Sequence, residues 1–242
     1  MLWVATALTV QSRLWLGGTV SAHRDRPLIR ALLRRVRACG PVQAVLLCAD
    51  GLASYVSQAR AVFRDPQRTG RAGRPRLVLP GGVMIAQVVK RYAKRCVVGV
   101  AHRVVRGTAD AVQARLAATQ GRTTAVINTA YVERLNATLR AHLAALVRRT
   151  RAAARQTATV EAGLWLVGTC YNFCWLHASL RRRRGAADPP GGKWVERTPA
   201  QAAGLTAHRW SLHELLTFPV PPPPLKRRGR RPRWLREVAC AA

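Results

Sequence analysis

The sequence predicts an α/β fold, and three observations carry the prediction. Short β-prone runs rich in Val, Leu, Thr and Trp recur among longer stretches whose apolar residues fall at helical spacing. The chain has 242 residues, 49% of them hydrophobic, which is enough to bury a core. The longest uncharged segment, Ala162 to Leu176, has 15 residues and falls short of the roughly 20 needed to span a bilayer. This length suits one α/β domain with a tail, or two small domains.

Taken in order, Leu2 to Leu8 and Leu14 to Val20 read as a hairpin across the polar Thr9 to Arg13. Asp25 and Pro27 open a helix through about Arg37, with Leu28, Ala31, Leu32 and Val36 on one face and Asp25 as its N-cap. Gly40-Pro41 stops it. Val42 to Ala49 is a near-continuous apolar run, as expected for a strand buried on both faces, and Asp50-Gly51 ends it ahead of a short helical pattern, Leu52 to Phe63. A carboxylate at the carboxyl end of a central strand is where open α/β sheets place ligands; Asp50 is equally well placed to cap the helix that follows. Asp65 to Gly82, rich in Pro, Gly and Arg, reads as a mobile basic loop, touching phosphate or simply solvated. Val83 to Val89 and Arg95 to Arg106 are apolar stretches that periodicity assigns to neither helix nor strand. Thr108 to Ala118 looks helical, and Ala125 to Ile127 is a short run before the next helix.

That helix belongs to a basic stretch from Thr124 to Arg155 holding a single carboxylate, Glu133, the only acid between Ala111 and Val160. Leu135, Leu139, Leu143 and Leu146 form an apolar stripe, while Glu133, Asn136 and Arg140 share a neighbouring polar face. On this helix alone, Glu133 reads as a first-turn acid favoured by the helix dipole after an Asn128 or Thr129 cap. Arg148, Arg151 and Arg155 repeat the spacing as a phosphate track, against the simpler reading of a solvated face. A second long helix, about Thr157 to Trp175, puts Val160, Leu164, Val167, Tyr171 and Cys174 on one side. Gly185 to Gly192 reads as a linker, Pro199 to Leu216 as one or two short helices, and Pro219 to Pro224 as a polyproline break. The tail from Leu225 carries seven Lys and Arg.

Forty-one Lys and Arg against ten Asp and Glu give a formal charge of +31. So one-sided a charge makes a polyanion the expected partner, and Arg spread through apolar periodicity points to nucleic acid over a membrane surface. Six scattered cysteines, with no CxxC pair and no His at zinc-ligand spacing, read as reduced apolar residues of a cytoplasmic protein. Met1 leads into an apolar run without a basic start, which argues against a signal peptide.

Four segments, ADGLASY (Ala49 to Tyr55), NTAYVERLNATLRAHLAALVRRTRA (Asn128 to Ala152), YNFCWLHASLR (Tyr171 to Arg181) and RTPAQAAGL (Arg197 to Leu205), resemble insertion-sequence transposases of the DDE superfamily. The ERxNxTxR pattern heading a long basic helix is the most specific of them. The resemblance runs from about Leu2 to Phe218 and implies an RNase H-like mixed sheet flanked by helices over residues 1–184. A helical extension over 185–218 and a basic tail over 219–242 follow. It further implies DNA cleavage and strand transfer at the nucleoid, Mg²⁺ or Mn²⁺ as cofactor, and DNA and other copies of the chain as partners. Phosphodiester chemistry needs two oxygens held in line and charge neutralised, which a pair of Mg²⁺ ions on carboxylates supplies. By the resemblance Asp50 and Glu133 match the second and third metal ligands, and His177 covers the site, where by itself a His at a helix end reads as structural. Asn136 and Arg140, one and two helical turns beyond Glu133, read equally as groups that orient it or bind scissile phosphate and as surface polar residues.

The first acid of the family sits on a strand ahead of the hairpin, upstream of the segment matching LWVATAL, and Asp25 does not replace it. The resemblance therefore describes a transposase lacking its first strand and first metal ligand. A noncatalytic DNA-binding remnant that interferes with full-length copies is the alternative. Arg228 to Pro232, near a minor-groove Arg-Gly-Arg-Pro hook but with an extra Arg, reads as nonspecific phosphate binding.

Overall fold

The computed structural model describes residues 2–40, 44–68, 70, 73–120, 125–147, 151, 156–186, 188 and 190–220. The chain is a mixed α/β protein with open sheets and, among the described residues, seven α-helices. None of those helices is long and apolar enough to cross a membrane.

Strands β1 (Trp3–Leu8) and β2 (Trp15–Ser21) form the expected hairpin, paired from Trp3 opposite Ser21 to Leu8 opposite Trp15. Helix α1 (Arg26–Ala38) starts as the sequence dictates: the Asp25 carboxylate accepts from the Leu28 amide at 3.0 Å and Pro27 occupies the first turn. Its buried Leu28, Ile29, Leu32 and Leu33 pack with Ala59 and Phe63, beside helix α2 (Ala53–Val62), and with Val83 and Ile85.

The principal sheet is β3 (Val45–Asp50), β6 (Val83–Ala93) and β7 (Cys96–Arg106), in the order β3-β6-β7. β3 and β6 are parallel, Val45 opposite Val83 and Asp50 opposite Val88; β6 and β7 are an antiparallel hairpin. Two further short strands, β4 (Asp65–Gln67) and β5 (Arg76–Val78), pair within the stretch expected to be loop, so part of that basic segment has its backbone groups satisfied. The expectation of a β3 buried on both faces is also corrected. Val45 to Cys48 are half-buried, because only the edge towards β6 is paired.

Helix α3 (Ala109–Gln120) buries Val112 and Leu116 against Met84, Ala86 and Val88, and Ala125 and Ile127 join the same cluster. Helix α4 (Ala130–His142) carries buried Leu135 and Leu139. It ends at His142, short of Leu143 and Leu146, which the sequence placed on the same helical stripe: Leu143 turns extended, with φ −119° and ψ 99°, and a 3₁₀ turn over Ala144–Leu146 follows. Leu143 and Leu146 nonetheless reach the cluster of Trp15, Leu135, Leu139 and Leu164. A Cβ on Gly163 would meet the Leu143 side chain at 2.6 Å, so the absence of one lets Leu143 pack closely on the next helix.

That helix, α5 (Thr157–Phe173), buries Val160, Leu164 and Tyr171, with Cys174 just beyond its end. Gly168 admits the buried Trp15 ring, whose atoms lie 2.2–2.6 Å from where a Cβ would be. The buried Asn172 amide accepts from Trp15 N at 2.8 Å and donates to Trp15 O at 2.9 Å, tying α5 to β2. After α5 come β8 (His177–Arg183) and β9 (Trp194–Arg197), an antiparallel pair around the stretch read as linker. Helices α6 (Pro199–Ala202), closed by a Thr198–Gln201 capping box, and α7 (Leu212–Thr217) complete the described chain. The tail residues 221–242, including Arg228 to Pro232, lie outside the described residues.

Candidate active site

A cavity of about 1240 Å³ opens between β1 and β3. Residues along both strands line it, the α1 side chains Leu28, Ile29 and Leu32 form one wall, and α4 reaches it through Tyr131, Val132 and Leu139. Among the described residues β1 pairs only with β2 and β3 only with β6, so each strand turns to the gap an edge that no described strand pairs. Arg24 lies 5.5 Å over the Trp3 ring at the start of β1 and bonds Asp50 at the end of β3, so the two strands run in opposed directions across it. The gap is a cleft partly open to solvent, with the charged Asp50, Glu133 and Arg140 among its lining residues. The gap is therefore wet or filled.

Asp50 and Glu133 lie on the rim of this one cavity, with Asn136 and Arg140. Asp50 reaches the rim because β3 ends there; its carboxylate accepts from the Leu52 amide at 3.0 Å and from Arg24 at 3.1 Å. The N-cap of α2 is Leu52, so Asp50 turns the chain rather than capping the helix. Glu133 stands in the first turns of α4, whose N-cap is Thr129. It accepts from Lys90 Nζ at 2.9 Å and from Thr129 Oγ1 at 3.0 Å. The Lys90 hydrogen bond holds the Glu133 carboxyl below the usual carboxylate range, and Glu133 in turn raises the Lys90 ammonium. Asp50 adds a smaller upward push on Lys90, so one ammonium answers to both acids.

The other predicted residues divide. Asn136 accepts from Thr6 Oγ1 at 2.7 Å and so joins α4 to β1; Arg140 is exposed at the rim. His177 begins β8 rather than ending a helix, and it does not line the cavity. Its ring packs 4.6 Å from that of Tyr171, and its Nε2 is buried without a partner. Burial lowers its pKa, with Arg134 and Arg13 adding to the effect. Arg151 is exposed and outside any helix, while Arg148 and Arg155 lie outside the described residues; the continuous α-helix that would align the three stops at His142. Sequence reasoning missed Arg24 and Lys90, the cations that hold the two acids. Lys90 had a signal, being the first charge after the apolar run from Val83 to Val89.

Carboxylate oxygens are the donors Mg²⁺ takes. The donor set is nevertheless short: among the described residues no three metal-ligating side chains converge, and Arg24 and Lys90 already neutralise the two acids. Two carboxylates offset half of the +4 of an ion pair, so the residues present do not fit a two-ion centre. No protein-family model matches the chain, and neither does any curated protein or solved structure.

Proposed function

We propose that the chain is a DNA strand-transfer protein of the DDE transposase kind in a latent form, which binds DNA at the nucleoid and awaits an acid-bearing strand between β1 and β3. The observation that carries this reading is the joint placement of Asp50, at the end of a parallel strand, and Glu133, in the first turns of α4, on the rim of a cavity bounded by two unpaired strand edges. A strand entering there parallel to β3 would complete a mixed sheet of RNase H-like order and bring its own end beside Asp50. The charge of +31 supplies the affinity for DNA, and further copies of the chain are the expected company on element ends. The noncatalytic alternative draws on a specific observation too: Arg24 and Lys90 occupy the carboxylates as cations of the protein's own.

The test compares cleavage of family-type element ends in Mg²⁺ or Mn²⁺ by three proteins: the chain, the chain with an Asp-bearing strand fused ahead of Met1, and that fusion with Asp50→Asn or Glu133→Gln. The expected results are near-inertness, activity, and loss of activity. Cleavage by the unextended chain that is lost on Asp50→Asn would show the site already complete and overturn the latent reading. A fusion as inert as the chain itself would leave the noncatalytic reading standing.

A further inference from the structure

Apart from Lys90, whose ammonium holds Glu133, the far half of the β6–β7 hairpin takes no part in the site above, and it is exposed on both strands. From Val83 to Val88, β6 is buried; from Lys90 to Ala93 every residue is exposed, as are Cys96 to Val98 and Val100 to Arg103 on β7. Both faces meet solvent, with Tyr92 65%, Val98 64% and Val100 53% exposed. An uncovered two-stranded ribbon is marginal in water, and apolar side chains on it gain nothing there. At about 3.4 Å per residue its outer rungs project on the order of 15 Å.

The charge on the ribbon is of one sign. No acid occurs between Asp65 and Asp110, while Lys90, Arg91, Lys94 and Arg95 lie on its outer half or tip and Arg103 stands further in, opposite Gln87. Alternation with the observed register puts Arg91 and Arg103 on one face and Lys90, Tyr92, Val100 and His102 on the other, the face continuous with Glu133.

The turn is the informative feature. Lys94 and Arg95 both adopt left-handed backbone, φ 46° and 68°, in a two-residue connection. Such a turn favours Asn-Gly, and each side chain with a Cβ held there costs about 1–2 kcal/mol. Strain kept at a site with no packing to enforce it points to a use for the side chains. Two cations at the tip of an uncovered ribbon are what contact with phosphate would favour.

We propose that the outer half of the β6–β7 ribbon is a DNA-binding arm that enters a groove of duplex DNA, a proposal resting on the reading of the chain as a DNA-acting protein. The major groove, about 12 Å wide, admits a two-stranded ribbon. Arg91 on one face and Lys94 and Arg95 at the tip then meet the phosphates of the groove walls, and Tyr92, Val97 and Val98 meet base and sugar edges.

The experiment measures binding of the full chain to a labelled duplex of arbitrary sequence across a salt series. Its variants are Lys94→Asn with Arg95→Gly, and a charge-matched control on α1 and α2, Arg34→Gln with Arg60→Gln. The tip variant should flatten the log–log salt slope by roughly 1.8, two phosphate contacts at about 0.9 each, and more than the control does. Its thermal midpoint should hold or rise, because Asn-Gly relaxes the turn. An unchanged slope, or a change matched by the control, overturns the arm while leaving DNA binding intact. A wild-type chain whose binding is flat in salt overturns the DNA reading itself, and the arm with it. A tip variant that binds DNA like the wild type but changes the oligomeric state in sedimentation makes the ribbon a contact between protein chains, which also overturns the proposal.

Discussion

The two edges of β3 face different worlds. Towards β6 every residue from Val45 to Asp50 has a partner, and behind that pairing lie Val83, Ile85 and Ala86, with no exposure at all. Towards β1 no described residue pairs with it, and the side chains from Val45 to Cys48 remain half-exposed beside a cavity. One strand thus forms the closed and the open part of the molecule, and both acids sit where the open part begins. The lesson is that sheet closure and site completion are one problem here: whatever satisfies the free edge also stands beside Asp50 and Glu133.

Substitutions sharpen the contrast. Ile85→Ala, on the closed side, should cost about 2–5 kcal/mol in urea unfolding, while Leu47→Ala on β3 should cost less than half as much, since its neighbourhood is already partly wet. Equal costs would mean that the gap is packed. Asn172→Ala comes next, stripping partners from two backbone groups of Trp15 at about 1–3 kcal/mol for each left buried and unpaired. Asp25→Ala, removing the cap of the helix that walls the gap, should cost about 1 kcal/mol by the same measurement.

The smallest effect is a pH dependence. His177 has a folded pKa below its ordinary 6.5, so between the two values the unfolded chain binds more protons than the folded one. Stability is then full above the ordinary value and is lost as pH falls below it towards the folded value. Thermal midpoints of the wild type and of His177→Phe should diverge as pH drops from 7.5 to 5, with the wild type losing more. Parallel curves would place the titration elsewhere.

Much of what surrounds the gap was legible in the sequence because its signals are local. Asp25 and Pro27 mark a helix start by backbone chemistry alone, and Trp3–Leu8 and Trp15–Ser21 have strand composition on both sides of a polar turn. Asp50 and Glu133 were legible as candidates, one by its place after an apolar run and the other by its isolation among cations. The β6–β7 hairpin was not legible. Its turn is Lys-Arg, without the Gly or Asn that announces a positive-φ turn, and its inner half is too uniformly apolar to alternate. The early end of α4 was hidden for a different reason: Leu143 and Leu146 keep the helical period in sequence and reach the same core by a bent backbone, because Gly163 leaves room for Leu143. Arg24 and Lys90 could not be paired with their acids from sequence, since each pair joins separate elements.

Hydrogen exchange at β3 tests the central claim most directly. Val45 N donates to Gly82 O, so by alternation the amides of Val45, Leu47 and Ala49 face the β6 side and those of Leu46, Cys48 and Asp50 face the gap. In the chain alone the first three should exchange slowly and the last three fast, and fusing an apolar strand ahead of Met1 should slow the last three to match. If Leu46, Cys48 and Asp50 are already as protected as their neighbours without the added strand, the edge is covered and the account of an open sheet fails.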